Sequence, residues 1–227
     1  LVAYSLTFII SWFMIKPIVP FRNFLSGFSF SDLKVSFSYG FLYQMVELLQ
    51  LFNLRYYYFQ LSLQEGSQYL GIYSIGIAVL EAVWVIPRSI STIQYISTSN
   101  TETIKLEIDR TIQLVKIGFV ASGTMLLLIS FIPPSVYVTI FGEGFRYTRH
   151  SMRFLFPGIL IYNLMLIISS FYLGTGKYKP LIIANLAGFI SMVILSYYLL
   201  PIYVMTGAGL VATISFTIAS LILLFID

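Results

Sequence analysis

Residues 70–97 read LGIYSIGIAVLEAVWVIPRSISTIQYIS, and this stretch decides the fold class. It is long and apolar enough to cross a bilayer as a helix, which takes about 20 residues. It nevertheless carries Glu81 near its middle and Arg88 seven residues later, and charges at membrane depth need a protein or water environment. Seven residues is almost two helical turns, so the spacing predicts one polar stripe made of Ser74, Glu81, Arg88 and Tyr95. Such a stripe points to a transported substrate.

The composition of the whole chain is typical of an integral membrane protein. The 227 residues are 58% hydrophobic and 10% charged, and their mean hydropathy is +0.89, which is well outside the usual composition of soluble domains. The alternating ten-residue segments of a membrane β-barrel do not occur. We therefore predict an all-α, polytopic helical bundle, in which the length allows about seven spans of roughly 20 residues.

Seven apolar runs are the predicted spans. They cover approximately residues 2–19, 39–61, 70–97, 114–132, 155–173, 181–200 and 208–225. The mixed segment between the first two runs, residues 20–36, is expected to be a linker along the membrane surface. Pro87 is expected to bend the third span and to free a backbone carbonyl.

The basic residues predict the orientation of these spans. Loops on one side hold eight Lys or Arg residues, namely Lys16, Arg22, Lys34, Lys105, Arg110, Lys116, Lys177 and Lys179. Loops on the other side hold Arg146, Arg149 and Arg153. The positive-inside rule therefore places the first side and the C-terminus in the cytoplasm. The net charge of +4 is dispersed over loops, so nucleic acid is not a predicted partner.

Several kinds of chemistry are not predicted. The chain has no cysteine and a single histidine, His150, so neither a thiolate site nor an imidazole cluster for a metal is expected. No carboxylate pair or nucleophile with a base suggests an enzyme. The sequence GTGK at 174–177 is followed by Tyr178 and lacks the spacing of a phosphate-binding loop.

Three segments resemble a known family. They are LGIYSIGIAVLEAVWVIPRSIS at 70–91, IFGEGF at 140–145, and YLGTGKYKPLIIANLAGFISMVILSYYLLPIYVMTGAGLVATISF at 172–216. In order and spacing they resemble the C-terminal half of the polysaccharide-lipid flippases, of the O-antigen (Wzx) type, in the multidrug/oligosaccharidyl-lipid/polysaccharide exporter superfamily. The resemblance covers most of residues 36–227. It departs near residue 96, where the family often has a proline and this chain has Ile96 and Ser97.

The resemblance implies a MATE-like transporter of two six-helix lobes around a water-accessible cavity. Residues 1–19 would be the last helix of the first lobe, 20–36 the cytoplasmic linker, and 37–227 the second lobe. The chain is therefore expected to be a fragment of a longer protein. The implied activity is the transfer of a lipid-linked oligosaccharide from the inner to the outer leaflet of the cell membrane by alternating access.

The charged and aromatic residues of the second and third spans are the candidate site. The candidate cavity residues are Tyr43, Arg55, Trp84 and Arg88, and the candidate ion-coupling residues are Glu47 and Glu81. Arg88 would meet the pyrophosphate of a polyprenyl carrier, and Glu81 would pair with a proton, a sodium ion or Arg55. The alternative is an intramembrane ion pair that only holds two helices in register.

Two other functions are weighed against flipping. One is a multidrug or cation antiporter of the same superfamily. The other is a membrane subunit of a polysaccharide-synthesising complex, which would need an acidic catalytic pair in a large outer loop. The expected partners of a flippase are its polyprenyl-pyrophosphate-linked oligosaccharide, membrane lipids, and a polysaccharide polymerase with its chain-length regulator. No cofactor is expected beyond a coupling proton or sodium ion.

Overall fold

The structure is a computed structural model and describes residues 2–15, 29–101, 103–146 and 148–226. These residues are almost entirely helical and include no β-strand, which confirms the all-α prediction. The α-helices in the described ranges are α1 (Val2–Ile15), α2 (Phe30–Glu65), α3 (Ser67–Glu81), α4 (Val85–Ser99), α5 (Ile104–Ser130), α6 (Pro134–Phe141), α7 (Thr148–Arg153), α8 (Phe156–Gly174) and α9 (Tyr178–Phe225). A 3₁₀ turn at Ala82–Trp84 joins α3 to α4, and a second one at Glu143–Phe145 follows α6.

The chain separates into two compact units, Leu1–Leu42 and Tyr43–Asp227. The first unit contains α1 and the beginning of α2, and the second contains the other described helices. The sequence predicts its division six residues earlier, between the linker 20–36 and the lobe 37–227. Residues 16–28, which include most of that linker, lie outside the described residues.

Helix α2 begins earlier than the predicted second span. Ser29 provides an N-terminal cap, because its side-chain oxygen accepts a hydrogen bond of 3.3 Å from the backbone N–H of Ser31. Its carbonyl accepts a bond of 3.2 Å from the N–H of Leu33, and Asp32 places a negative charge in the first turn. These local interactions start the helix at Phe30.

Five helical segments of the described chain are long and apolar enough to span a membrane. They are Tyr69–Ser99, Ile104–Ser130, Phe156–Gly174, Tyr178–Val204 and Thr206–Phe225. They overlap the third to seventh predicted spans, although the segment at Ile104 begins ten residues before the predicted span 114–132. The chain is thus a multi-pass helical membrane protein. Helix α1 has only 14 residues within the described range. Helix α2 has 36 residues, but its polar side chains make it less apolar than the five segments.

The third predicted span contains the distortion that Pro87 predicts. The proline ring cannot bond to the carbonyl of Val83 and displaces it, and the 3₁₀ turn at Ala82–Trp84 takes up this change. Three residues at 3.0 rather than 3.6 residues per turn rotate the helix face by about 60°. Seven ideal steps would leave Arg88 about 20° from Glu81 around the helix axis, and the turn changes this to about 40° in the opposite sense, so the two residues still lie on neighbouring faces of the helix.

Helix α8 is the centre of the second unit. It packs most extensively against α4, α9 and α5. Small residues allow this close approach: a methyl group added at Gly174 would lie 2.7 Å from Cβ of Thr98 on α4, and one added at Gly158 would lie 2.8 Å from Cα of Thr213 on α9. Two of the three contacts of α8 therefore depend on the absence of a side chain.

We predict that Gly158→Ala destabilises the protein. The added methyl group would meet the backbone of Thr213, so α8 and α9 would have to separate, and such overpacking typically costs about 1–3 kcal/mol. Gly123→Ala is the matched control, because nothing lies within 4 Å of its added methyl group. Thermal unfolding in detergent should give a lower midpoint for Gly158→Ala only. Equal midpoints for the two variants would contradict the close α8–α9 contact.

Candidate functional site

A cavity of about 430 Å³ lies between α2, α4 and α8. Its lining residues are Tyr43, Glu47 and Gln50 from α2, Arg88, Ser91, Thr92 and Tyr95 from α4, and Leu166, Ser169, Ser170 and Leu173 from α8. On each helix these residues follow the three- and four-residue spacing of a single helical face. Three helices thus each present a stripe of mostly polar residues to one common space, although aliphatic and ring atoms make up most of its surface.

Two opposite charges border this cavity. Neither the Glu47 carboxylate nor the Arg88 guanidinium forms a salt bridge with another described residue. Arg88 lies over the ring of Trp84, with its Cζ 5.2 Å from the ring centre, an arrangement in which the aromatic face attracts the cation. Trp84 is itself 5% exposed and packs against Tyr162 at 5.4 Å between ring centres. Buried aromatic packing therefore holds Arg88 while leaving its charge available.

The hydroxyl groups of the cavity are of two kinds. Thr92 donates to the Arg88 carbonyl at 3.0 Å, and Ser170 donates to the Ile167 carbonyl at 2.7 Å. The hydroxyls of Ser91 and Ser169 are buried and have no partner within the described chain. An unpaired buried hydroxyl is costly, so these two are suited to bind water or the polar groups of a ligand.

A second pair of charges lies outside the cavity. Arg55 of α2 and Glu81 of α3 form a salt bridge, with Nη2 and Oε1 3.3 Å apart. Arg55 also lies over Tyr58, its Cζ 5.2 Å from the ring centre. Neither Arg55 nor Glu81 is among the lining residues of the cavity. Of the three partners considered for Glu81, the structure therefore places Arg55 beside it.

The structure divides the predicted site residues into two groups. Tyr43, Glu47 and Arg88 come together at the cavity, as does Tyr95. Trp84 lies behind Arg88 and does not line the cavity, and Arg55 and Glu81 pair with each other. Ser74, the first residue of the predicted stripe, donates to the carbonyl of Gly71 at 2.9 Å within its own helix.

Sequence reasoning missed a second buried polar centre, around Glu107 on α5. Glu107 is 2% exposed, and its carboxylate accepts hydrogen bonds from Ser97 at 2.9 Å, Thr101 at 3.2 Å, Thr98 at 3.3 Å and Gln94 at 3.4 Å. Arg110 adds an ion pair at 3.7 Å. This Glu107 network ties the end of α4 to the beginning of α5. The available signal was the four-residue spacing of polar pairs, Gln94 with Thr98 and Glu107 with Thr111.

These two polar centres contain no residue set typical of a metal enzyme. Among the described residues, no group of three or more His, Asp or Glu side chains is placed to hold a metal ion. The side chain of His150 lies outside the described residues. Comparison of the chain with protein-family models, curated proteins and solved structures gives no match. The site is thus defined by its own geometry: a polar cavity with both signs of charge, within a helical membrane bundle.

We predict that exchanging the charges of Arg55 and Glu81 restores stability that each single change removes. Arg55→Glu or Glu81→Arg alone would place like charges side by side, whereas the double variant re-forms a pair of opposite sign. Thermal unfolding of all three variants measures this coupling. The exposed pair Arg146 and Glu143, 3.1 Å apart, is the matched control, where exchange should change little. If the stability of the double variant equals the sum of the two single effects, Arg55 and Glu81 do not form the pair.

We predict that Glu107→Ala lowers stability much more than Asp109→Ala. Loss of the carboxylate would leave several buried donors unpaired, each costing about 1–3 kcal/mol. Asp109 is an exposed acidic residue of the same helix and forms no salt bridge with another described residue. Thermal unfolding in detergent, or the yield of monodisperse protein, checks the difference. If the two variants are equally stable, the Glu107 network does not hold the α4–α5 turn.

Proposed function

We propose that this chain is the second lobe of a membrane transporter that carries a lipid-linked oligosaccharide from the inner to the outer leaflet by alternating access. The observation that carries the proposal is the polar cavity between α2, α4 and α8, bordered by Glu47 and Arg88. A membrane protein that needed only to hold its helices together would pair these charges, as it pairs Arg55 with Glu81. Charges that border an open cavity are instead suited to a polar passenger.

The chemistry of the cavity fits an anionic glycolipid. The forked donors of the Arg88 guanidinium match the oxygens of a pyrophosphate. The unpaired hydroxyls of Ser91 and Ser169 suit sugar hydroxyls, and the rings of Tyr43 and Tyr95 offer flat faces against which sugars pack. In this proposal the polyprenyl tail stays in the surrounding lipid while the head group crosses through the cavity.

We also propose how the helices are arranged in the membrane. Helix α1 and helix α2 complete seven spans, of which the last six form one MATE-like lobe. The lobe works against a preceding one in the cell membrane, with the C-terminus in the cytoplasm as the positive-inside rule predicts. A polysaccharide polymerase and its chain-length regulator would receive the delivered repeat units.

Coupling to an ion gradient would act through Glu47. Its carboxylate borders the same cavity as Arg88 and has the opposite charge. Binding a proton or a sodium ion to Glu47 would therefore change the net charge that the passenger meets. Glu81 is held by Arg55 and is assigned a structural part. Arg55 and Trp84 likewise support the cavity without lining it.

We predict that Arg88→Ala and Glu47→Gln each reduce transport at least about tenfold, an effect of roughly 1.4 kcal/mol, with normal membrane abundance. The test is complementation of cells that depend on this transporter for surface polysaccharide, with the level of each variant measured in membranes. Arg88→Lys should recover little, because an ammonium lacks the fork of donors. Arg146→Ala, in an exposed pair, is the control and should transport normally.

Two results would contradict the proposal. Normal polysaccharide display by both Arg88→Ala and Glu47→Gln would remove the cavity from the transport route. Resistance to organic cations on expression, with no effect on polysaccharide, would instead identify the multidrug antiporter of the same superfamily.

A further inference from the structure

A second groove lies on the opposite face of α8 from the cavity. It has a volume of about 430 Å³ and is formed by α5, α8 and the end of α9. Its walls are mostly apolar and include Ile112, Val115, Ile168 and Leu224. Helix α8 lines the cavity with Leu166, Ser169, Ser170 and Leu173, and it lines the groove with Ile168, Phe171 and Tyr172. These two sets lie on opposite faces of the helix, so one helix separates the two spaces.

Lys116 is the charged side chain in the lining of this groove. It forms no salt bridge with another described residue, and it is exposed. The hydroxyl of Thr111, another lining residue, already donates to the Glu107 carbonyl at 2.6 Å and accepts from Gln94 at 2.8 Å. The ammonium of Lys116 is therefore the main polar group of the groove that can bind a ligand.

The position of Lys116 along α5 is that of a headgroup contact. It is followed by fourteen residues, 117–130, without a charge, while Lys105, Asp109 and Arg110 precede it in the first two turns. A lysine at this boundary extends its apolar stem along the helix and its ammonium towards the interface. The groove thus lies at the level of the lipid headgroup, with Lys116 at the end of its α5 wall that adjoins the uncharged residues 117–130.

We propose that this groove is a binding site for an anionic glycerophospholipid of the bilayer. The phosphate meets the ammonium of Lys116, the glycerol backbone lies against Val115 and Ile168, and the acyl chains continue along the exposed Phe119 and Val120. Basic pockets between membrane helices bind anionic headgroups in this way. The volume of about 430 Å³ is within the range of cavities that bind small ligands. The inference requires only that the chain spans a membrane and does not depend on the proposed passenger.

Charge favours an anionic lipid over a zwitterionic one. The buried carboxylate of α5, Glu107, is already engaged by Ser97, Thr101 and Arg110, and Lys116 forms no salt bridge with another described residue. A zwitterionic headgroup would bring its own cation next to the ammonium of Lys116. A single added charge at a membrane surface is worth about fivefold in binding, which sets the size of the expected effect.

The experiment measures lipid binding by the purified protein with native mass spectrometry. Phosphatidylglycerol and phosphatidylcholine of the same acyl chains are titrated in detergent. We expect phosphatidylglycerol to bind wild type about fivefold more tightly than phosphatidylcholine does. Lys116→Ala should remove that preference, and Lys116→Arg should retain it. Ile112→Trp, which fills the groove while keeping the cation, should weaken both lipids.

Lys105→Ala is the matched control, because it removes an exposed cation of the same helix that lies outside the groove lining. It should leave the preference for phosphatidylglycerol unchanged. An equal preference in wild type and Lys116→Ala, or an equal loss in Lys105→Ala, would overturn the site. Displacement of phosphatidylglycerol from Lys116 by a polyprenyl diphosphate at equal concentration would also overturn it. Loss of the phosphatidylglycerol preference alone would leave the proposed function standing, whereas preferential binding of the polyprenyl diphosphate would make the groove a site for the transported carrier.

Discussion

A charged side chain inside a bilayer needs either a partner or water, and this constraint sorts the polar residues of the chain. Arg55 and Glu81 satisfy it by pairing with each other at 3.3 Å. Glu107, which lies before the apolar part of α5 but is buried by protein, meets the same requirement through a shell of hydrogen-bond donors. Glu47 and Arg88 satisfy it by bordering a cavity. In the first two cases the charged group is bound by other residues of the protein, whereas in the third it can contact a ligand. This difference is the reason for assigning transport to the cavity.

The packing of α8 connects these solutions. Close contacts at Gly158 and Gly174 hold it against α9 and α4, and its two faces serve two environments. One face adds serines to the polar cavity, and the other adds Ile168 and Phe171 to the apolar groove. Because α8 lines both spaces, a displacement of this helix would change the shape of both.

Much of the fold could be predicted from periodicity and punctuation. Apolar runs identified the helices from the third span onward, and Pro87 predicted the distortion that appears as the turn at Ala82–Trp84. The start of α2 was less predictable, because the cap at Ser29 is a local interaction within a segment of mixed composition. Helix bounds near such caps depend on single hydrogen bonds, which composition does not report.

The sequence predicted which charged residues lie in the membrane, but not which of them contact each other. A stripe at seven-residue spacing assumes an undistorted helix, and the 3₁₀ turn rotates Arg88 by about 60° from the position that an ideal helix gives it relative to Glu81. Which acidic residue faces which basic one is then decided by packing between helices that are distant in sequence. The Glu107 network lay in a charged segment that reads as a solvated loop, and burial by α4 and α5 alone distinguishes it.

The space between α2, α4 and α8 must be reached by water within the membrane if its charged residues are to meet a polar passenger. The chain has no cysteine, so single cysteines introduced into the natural sequence give an unambiguous measurement with a charged, membrane-impermeant thiol reagent. In intact membranes, Thr92→Cys and Gln50→Cys, both at positions that line the cavity, should be modified at least about tenfold faster than Leu128→Cys and Ile190→Cys, since the thiolate that reacts forms only in contact with water. The controls are exposed apolar positions, 65% and 50% accessible, that face lipid in this account. Equal rates at all four positions would contradict it.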